Sequence, residues 1–198
     1  MQSDRSHILA IISKYLRIFP DETDRLSDFI RYLKTTQHDI RSRKNMDGHL
    51  TGSALIVDIT TGRLLLIHHR SLNRLLQPGG HVNPGESPMS AALREAIEEV
   101  GEHAYQLHSI DADPDIPVDF DAHLIPANPK KQEGEHYHFD FRYILKVRGS
   151  DWVRTQQAEV VDHQWIGIDE LAMTNQISGL RLALHKLQRE NGPQQASI

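Results

Sequence analysis

The chain has 198 residues, with 22 Lys and Arg against 27 Asp and Glu and a formal charge of −5; its isoelectric point lies near 6.2. That balance argues against broad binding to nucleic-acid polymers or anionic membranes, so a polyanionic substrate would need a local cation. The absence of cysteine excludes disulfides, thiolate metal sites and a cysteine nucleophile. No apolar run approaches the ~20 residues of a membrane span, and MQSDRSHILAIISKYLRIFPDE lacks the ordered regions of a signal peptide, so a soluble, cytoplasmic protein is expected.

In chain order, Ser3 to Phe19 and Asp21 to Thr35 read as two amphipathic helices separated by Pro20. Ile8, Ile11, Ile12, Tyr15 and Leu16 form one apolar stripe, and Leu26, Phe29, Ile30 and Leu33 form the other, with Asp21 suited to cap the second helix. The polar stretch Thr36 to Gly48 reads as a linker whose Arg41, Arg43 and Lys44 are solvated charges, with contact to phosphate as the alternative. Thr51 to Ile59 and Arg63 to His69 form a hairpin around Thr60, Thr61 and Gly62, and Leu75 to Val82 is a short strand and loop. His103 to Asp111 reads as a strand, Pro114 to Pro129 as mostly connection, His136 to Val147 and Glu159 to Ile166 as strands, and Asp169 to Met173 as the start of a last helix.

Gly79 to Glu102, GGHVNPGESPMSAALREAIEEVGE, is the most informative stretch. Read as a helix from Ser87 or Pro88, it places Met89, Leu93, Ala96, Ile97 and Val100 on one stripe and Glu95, Glu98, Glu99 and Glu102 on the other side. Ser87 can cap the helix, Pro88 suits its first position, and Gly101 can take the left-handed conformation that ends it. Like charges three and four residues apart repel by a few tenths of a kcal/mol per pair, so this face opposes the helix unless a cation sits there. Mg²⁺ or Mn²⁺, which favour oxygen ligands, would remove the conflict. A merely solvated acidic face is the competing reading.

The segment resembles the Nudix box, in which glycine is followed by five residues, Glu, seven residues, Arg-Glu, an aliphatic residue, any residue, Glu-Glu, any residue, Gly and an aliphatic residue. Those positions are Gly80, Glu86, Arg94, Glu95, Ala96, Glu98, Glu99, Gly101 and Glu102. Ala96 is a small occupant of one aliphatic position, and Glu102 departs from the other. The resemblance covers roughly Leu50 to Leu187 and leaves the first forty residues outside it. It implies an α+β fold, a Nudix-type α/β/α sandwich with a mixed sheet, here carrying an N-terminal two-helix extension. We divide the chain into extension and linker, residues 1–47, and a Nudix hydrolase domain, residues 48–198.

The resemblance also implies a divalent-metal-dependent hydrolase that cleaves a pyrophosphate bond in a nucleoside diphosphate linked to another moiety. Carried over by position, Glu95, Glu98 and Glu99 with the Gly80 carbonyl are the ligands for Mg²⁺, Mn²⁺ being the substitute. Glu95 orients or deprotonates the attacking water, Glu98 shares the catalytic work, and Arg94 holds a glutamate in place while Glu86 supports the loop. Glu133, Glu135 and Glu159 keep open a base outside the box. The alternative is a noncatalytic nucleotide-binding or regulatory module, with the N-terminal helices as a partner or homodimer surface.

A second clue is HYHFDFRY, where alternation sends Tyr137, Phe139, Phe141 and Tyr143 to the core and His136, His138, Asp140 and Arg142 to the other face. Histidine can donate to phosphate or bind a metal, and arginine can grip phosphate oxygens in a fork. His136, His138 and Arg142, with His81 from the box loop, are therefore the substrate-binding candidates, set against a reading of Asp140 and Arg142 as a structural pair. Asp119, Asp121 and His123 also alternate and are weighed as part of a second metal site. Pro117, fifteen residues beyond Glu102, matches a position where ADP-ribose-cleaving relatives carry proline, in a segment rich enough in turns to hold one for other reasons. The expected partner is a phosphorylated small molecule.

Overall fold

The computed structural model describes residues 2–70, 72–129, 132–155, 160–172, 180, 182, 183, 185 and 186. The chain begins with α1 (Gln2–Ile18), a single 3-10 turn at Pro20–Glu22 and α2 (Thr23–Thr35). Most of both predicted stripes is buried, Ile8, Ile11, Ile12 and Tyr15 from the first helix and Leu26, Phe29 and Leu33 from the second, while Leu16 and Ile30 are partly buried. Asp21 does not cap α2. The 3-10 turn absorbs it and moves the helix start to Thr23, with Glu22 at the cap position and no side-chain cap bond.

Strands β1 (Gly48–Asp58), β2 (Arg63–His69), β3 (Arg74–Leu76), β4 (Gly79–His81), β5 (Gln106–Leu107), β6 (Asp119–Ile125), β7 (His136–Val147) and β8 (Val160–Gly167) form one mixed sheet. β1 runs parallel to β7 from Gly48↔Tyr137 to Asp58↔Val147. Its other edge takes β4 antiparallel at Thr51–Ser53 and β2 at Val57–Asp58. Such a central strand is covered on both faces, and every residue of β1 is buried, which is why it reads as a continuous run and not as an alternation. Two further helices are α3 (Pro88–Val100) and α4 (Ile168–Ala172). The fold class is α+β, with the helix pair joined to the sheet's core.

The helix pair is not a detached extension in packing. Phe29 stacks on Phe139 of β7 with ring centroids 4.2 Å apart, and Tyr15 meets Phe120 of β6 edge-on at 4.7 Å. Aromatic pairs of this kind add about 0.5–1.5 kcal/mol each beyond their burial. Phe139, Phe141 and Tyr143 enter the core as alternation predicts, whereas Tyr137 at the strand's start is 45% exposed. The linker is ordered against the same body. Arg41 is buried, with its guanidinium on Asp4 at 2.8 Å and on the Glu86 carbonyl at 3.2 Å, which corrects its reading as a solvated charge.

Two further expectations change. Pro114 to Pro129 contains β6, whose DFDAHLI pattern is flanked by prolines that suggested connection. The strand expected over His103 to Asp111 shrinks to β5, because positive φ at Asp111 and Ala112 turns the chain before β6. The turn between β1 and β2 is held by Asp58, whose carboxylate accepts from Thr60 N at 2.9 Å, Thr60 Oγ1 at 2.6 Å, Thr61 Oγ1 at 2.8 Å and Gly149 N at 3.1 Å. Met173 and Glu159 lie outside the described residues. Among those described, no helix is long and apolar enough to cross a membrane.

Candidate active site

Small residues bring α3 down onto β1. A Cβ on Gly52 would run into the Pro88 carbonyl and the Ala91 and Ala92 positions, so a glycine on the strand faces alanines on the helix. Ser87 caps α3 by accepting from Ser90 N at 3.1 Å, with Pro88 in the first turn. At the other end Gly101 has φ 103° and ψ 166°; the positive φ needs glycine, but the residue leaves the helix extended and not left-handed as expected. The buried face is rotated from the predicted stripe. Ala91, Ala92, Ala96 and Val100 are buried and take Glu99 with them, while Leu93 and Ile97 are only half-buried. The reason is the close approach at Gly52, which selects the alanine side of the helix.

Glu99, 6% exposed, accepts from Gly79 N at 3.0 Å. Gly80 lies against Glu95: a Cβ there would overlap the Glu95 carboxylate, so the glycine leaves room for that group. Glu98 faces solvent, its side chain 54% exposed. Arg94 binds this set together. Its Nε donates to Glu86 Oε1 at 2.9 Å and its Nη2 to Glu86 Oε2 at 3.0 Å, a bidentate pair, while Nη2 also donates to the His81 carbonyl at 2.9 Å. Nη1 reaches Glu95 Oε1 at 2.7 Å and Glu98 Oε2 at 3.3 Å.

The electrostatics separate Glu86 from Glu95, two of the three carboxylates that share this arginine. Burial pushes Glu95 above the usual carboxylate range, against the opposing pull of Arg94. Burial would raise Glu86 too, but the Arg94 hydrogen bonds and the Asn83 N–H outweigh it and hold Glu86 below that range. Arg94 itself is pushed up, chiefly by its hydrogen bonds to Glu86. Three carboxylates, Glu86, Glu95 and Glu98, thus converge on one guanidinium, while Glu99 of the same helix is held by the Gly79 N–H. Hard divalent cations take oxygen donors of this kind, and the space beside Gly80 keeps Glu95 in reach of that backbone.

The NUDIX domain model matches residues 49–187. The chain belongs to the NUDIX family. It is a Nudix-type pyrophosphohydrolase by class. It is 32% identical over 142 residues to a probable DHNTP pyrophosphohydrolase of Lactococcus lactis subsp. cremoris (strain MG1363), covering 72% of this chain and 76% of that protein. It is 28% identical over 131 residues to the asymmetrical bis(5'-nucleosyl)-tetraphosphatase of Rattus norvegicus, covering 66% of this chain and 81% of that protein. Among solved structures, an E. coli dihydroneopterin triphosphate pyrophosphohydrolase superposes with TM-score 0.58 at 17% identity, over 71% of this chain and 95% of that one, and shows the shared fold.

The structure brings the other candidate residues of this Nudix chain into two groups. His81, His136 and His138 meet, joined by His49 and His123, with ring centroids 4.8–5.1 Å apart among the first four where they touch and His123 at 5.7 Å from His138. Burial, helped by the neighbouring imidazoles His81 and His49, pushes His138 down to about 2, so it is neutral at physiological pH. Arg142 goes elsewhere. It is 3% exposed and its guanidinium is spread over Asp140 at 3.2 Å, Asp119 at 2.9 Å and Asp121 at 2.6 Å, so it is not presented to an open cleft as a phosphate fork. Asp119 and Asp121 are held by that arginine, which ties up the second acidic set.

One residue of interest was read only as a linker charge and another escaped the sequence reading. Arg43, exposed on the linker, lies close enough to lower the carboxyl of Glu95 and to act on His49; the linker pattern does not show which groups it faces. His49 precedes the expected strand start at Thr51, and the signal that could have found it is its two-residue spacing from Thr51 on the face of β1 that carries His81 and His138 across the strands.

Proposed function

We propose that this chain is a divalent-metal-dependent hydrolase that breaks a pyrophosphate bond in a phosphorylated small molecule, a nucleoside diphosphate linked to another moiety. The observation that carries the reading is the gathering of Glu95 and Glu98 on the guanidinium of Arg94, with Glu95 against Gly80 and Glu99 on the Gly79 N–H next to it. Glu95, Glu98, Glu99 and the Gly80 carbonyl would hold Mg²⁺, with Mn²⁺ a substitute. When bound, the ion supplies charge neutralisation at phosphoryl oxygens and a more acidic water.

The residues themselves divide the remaining work. Arg94 fixes Glu95 through Oε1, leaving Oε2 to orient the attacking water and take its proton; the raised proton affinity of this half-buried carboxylate suits a base. Arg94 acts as a positioning residue, since its nitrogens are engaged by Glu86, Glu95, Glu98 and the His81 carbonyl. His81, His136 and His138, whose rings group at the far side of the Gly80–His81 backbone, are the candidate contacts for the substrate. Residues 48–198 form the catalytic domain in this reading, and residues 1–47 brace it through the hold of Arg41 on the Glu86 carbonyl. The two curated relatives put DHNTP and bis(5'-nucleosyl) tetraphosphates at the head of the substrate panel.

The test is release of phosphate-containing products with Mg²⁺ or Mn²⁺ across those two substrates, nucleoside triphosphates, ADP-ribose and nucleotide sugars. Turnover that needs the ion and is lost in Glu98→Gln is the expected result. Nucleotide binding without turnover on any compound, unchanged by Glu98→Gln, would replace the enzyme reading with a binding module.

A further inference from the structure

We propose that His49, His81 and His138 form a binding site for a divalent first-row transition ion of the imidazole-preferring class, Zn²⁺ being the reference ion, separate from the box carboxylates. Each residue offers one ligand nitrogen, and the three lie within 4.8 Å of one another. The sheet builds this grouping: His49 of β1 and His138 of β7 are direct partners in parallel register, and His81 of β4 pairs with Thr51, two residues along β1. Alternation puts all three on the face opposite Gly52, and Gly52 is where α3 sits. The histidines and the carboxylates therefore occupy opposite faces, joined through the Gly80–His81 backbone.

An independent observation points to a ligand. His49 is 1% exposed and its Nε2 has no hydrogen-bond partner. A buried polar nitrogen left unpaired costs roughly 1–3 kcal/mol, so it calls for an explanation. Its other ring nitrogen, Nδ1, lies 3.2 Å from the Asn45 carbonyl. A carbonyl can only accept, so Nδ1 carries the proton and neutral His49 presents a bare lone pair at Nε2. This is the outer-shell arrangement that orients metal-binding histidines. His136 repeats it behind the triad, with Nδ1 on the Gly134 carbonyl at 2.7 Å and Nε2 3.3 Å from His138 Nε2.

Zn–N bonds of about 2.0–2.1 Å would draw tetrahedral ligand nitrogens to about 3.3 Å apart, a contraction within the reach of side-chain rotation. Three imidazoles leave a fourth position to water or an anionic oxygen. Imidazole donors suit Zn²⁺, Ni²⁺, Cu²⁺ and Co²⁺, whereas Mg²⁺ prefers the oxygens of the box, so the two sites sort ions by donor type.

The full chain, freed of metal by chelator and held in excess Mg²⁺, would be titrated with Zn²⁺ and followed by equilibrium dialysis and by imidazole ¹H–¹⁵N spectra. The expected result is one tightly held equivalent that moves the ring nitrogens of His49, His81 and His138, weakens at least about 10-fold in His138→Gln and His49→Gln, and persists in Glu98→Gln. No stoichiometric Zn²⁺ in the wild type, shifts confined to other imidazoles, or loss in Glu98→Gln with His138→Gln unaffected would overturn the site. The wild-type spectra decide the matter should either histidine variant fail to fold. Mg²⁺-dependent hydrolysis is scored separately, so a hydrolase that binds no Zn²⁺ would end this proposal and leave the functional reading standing.

Discussion

Two arginines in this chain each gather three carboxylates, with opposite outcomes. Arg94 contacts Glu86, Glu95 and Glu98 with its side chain 26% exposed, whereas Arg142 contacts Asp119, Asp121 and Asp140 with its side chain 4% exposed. Around Arg142 two further cations share the load: Arg25 and Lys186 reach Asp119 at 3.2 and 3.4 Å, and Lys186 also holds Glu22 at 2.5 Å. Asp140 is additionally satisfied by the hydroxyls of Thr51 at 2.9 Å and Ser53 at 2.8 Å. Around Arg94 no second cation makes contact among the described ion pairs, and Glu99 adds another carboxylate. One cluster is closed by cations in contact with it; the other is the one that, in the proposed function, would take a divalent ion. The comparison teaches that acidic residues gathered on an arginine do not by themselves make a candidate metal site, because around Arg142 the neighbouring cations take up the charge.

The sharpest way to break this contrast is to remove each arginine's counterpart role. Arg142→Met should cost about 3–5 kcal/mol, since it strands buried aspartates, and a urea melt reads it as a lowered midpoint with an unchanged slope. A loss under 1 kcal/mol would mean the cluster is not held by that guanidinium. Glu98→Gln should leave the melt close to wild type, because this side chain is half exposed, and should lower kcat/KM at least about 100-fold, equivalent to about 2.7 kcal/mol of transition-state stabilisation. Full activity in this variant would place the ion elsewhere.

A third carboxylate, Asp58, calibrates the other two, because the donors that hold it are hydroxyls and backbone N–H groups. Burial would raise it, but those bonds prevail and bring its pKa from 3.8 down to about 2. A carboxyl depressed in the folded state stabilises above its unfolded pKa and loses that contribution as pH falls through the folded value. The wild type should therefore lose about 2 kcal/mol between roughly pH 5 and pH 2 from this group. In Asp58→Asn the neutral-pH stability should be lower by a similar amount and the slope over that window shallower. Equal slopes in urea melts taken across the series would show that dipoles alone do not hold the charge.

Much of the Arg94 region was legible because it is local. A capped helix, a glycine loop and carboxylates at helical spacing all fall within Gly79 to Glu102, and the structure places Ser87, Pro88, Arg94 and Glu95 much as that pattern implies. What the pattern missed was the helix's rotation, since the choice of Ala91 and Ala92 as the buried face is made by Gly52, far away in sequence. The Arg142 region was opaque for the same reason. Its partners come from β6, α2 and Lys186, and a strand hidden between prolines cannot announce that its aspartates will meet Arg142 in antiparallel register. The N-terminal helices were visible as helices from their stripes, but their seat on Phe139 and Phe120 was not, because nothing in an amphipathic pattern says which apolar face receives it.

The smallest expected effect comes from Glu102, the residue that departs from the aliphatic position closing the box. A glutamate at an aliphatic position would cost packing if that position faced the core. In the structure it is exposed beyond Gly101, whose φ of 103° turns the chain away from α3, so a valine there has no core to enter. Glu102→Val should change stability by no more than about 0.5 kcal/mol in a thermal melt. The same variant sharpens the contrast between the two clusters. If the acidic field that favours the ion is made by Glu95, Glu98 and Glu99 at contact range, removing a solvated charge beyond the helix end should alter the Mg²⁺ concentration for half-maximal activity by less than about 2-fold at physiological salt, where exposed charges are screened over about 8 Å. A larger shift would extend the field that draws the ion past the box helix and assign Glu102 a part in it.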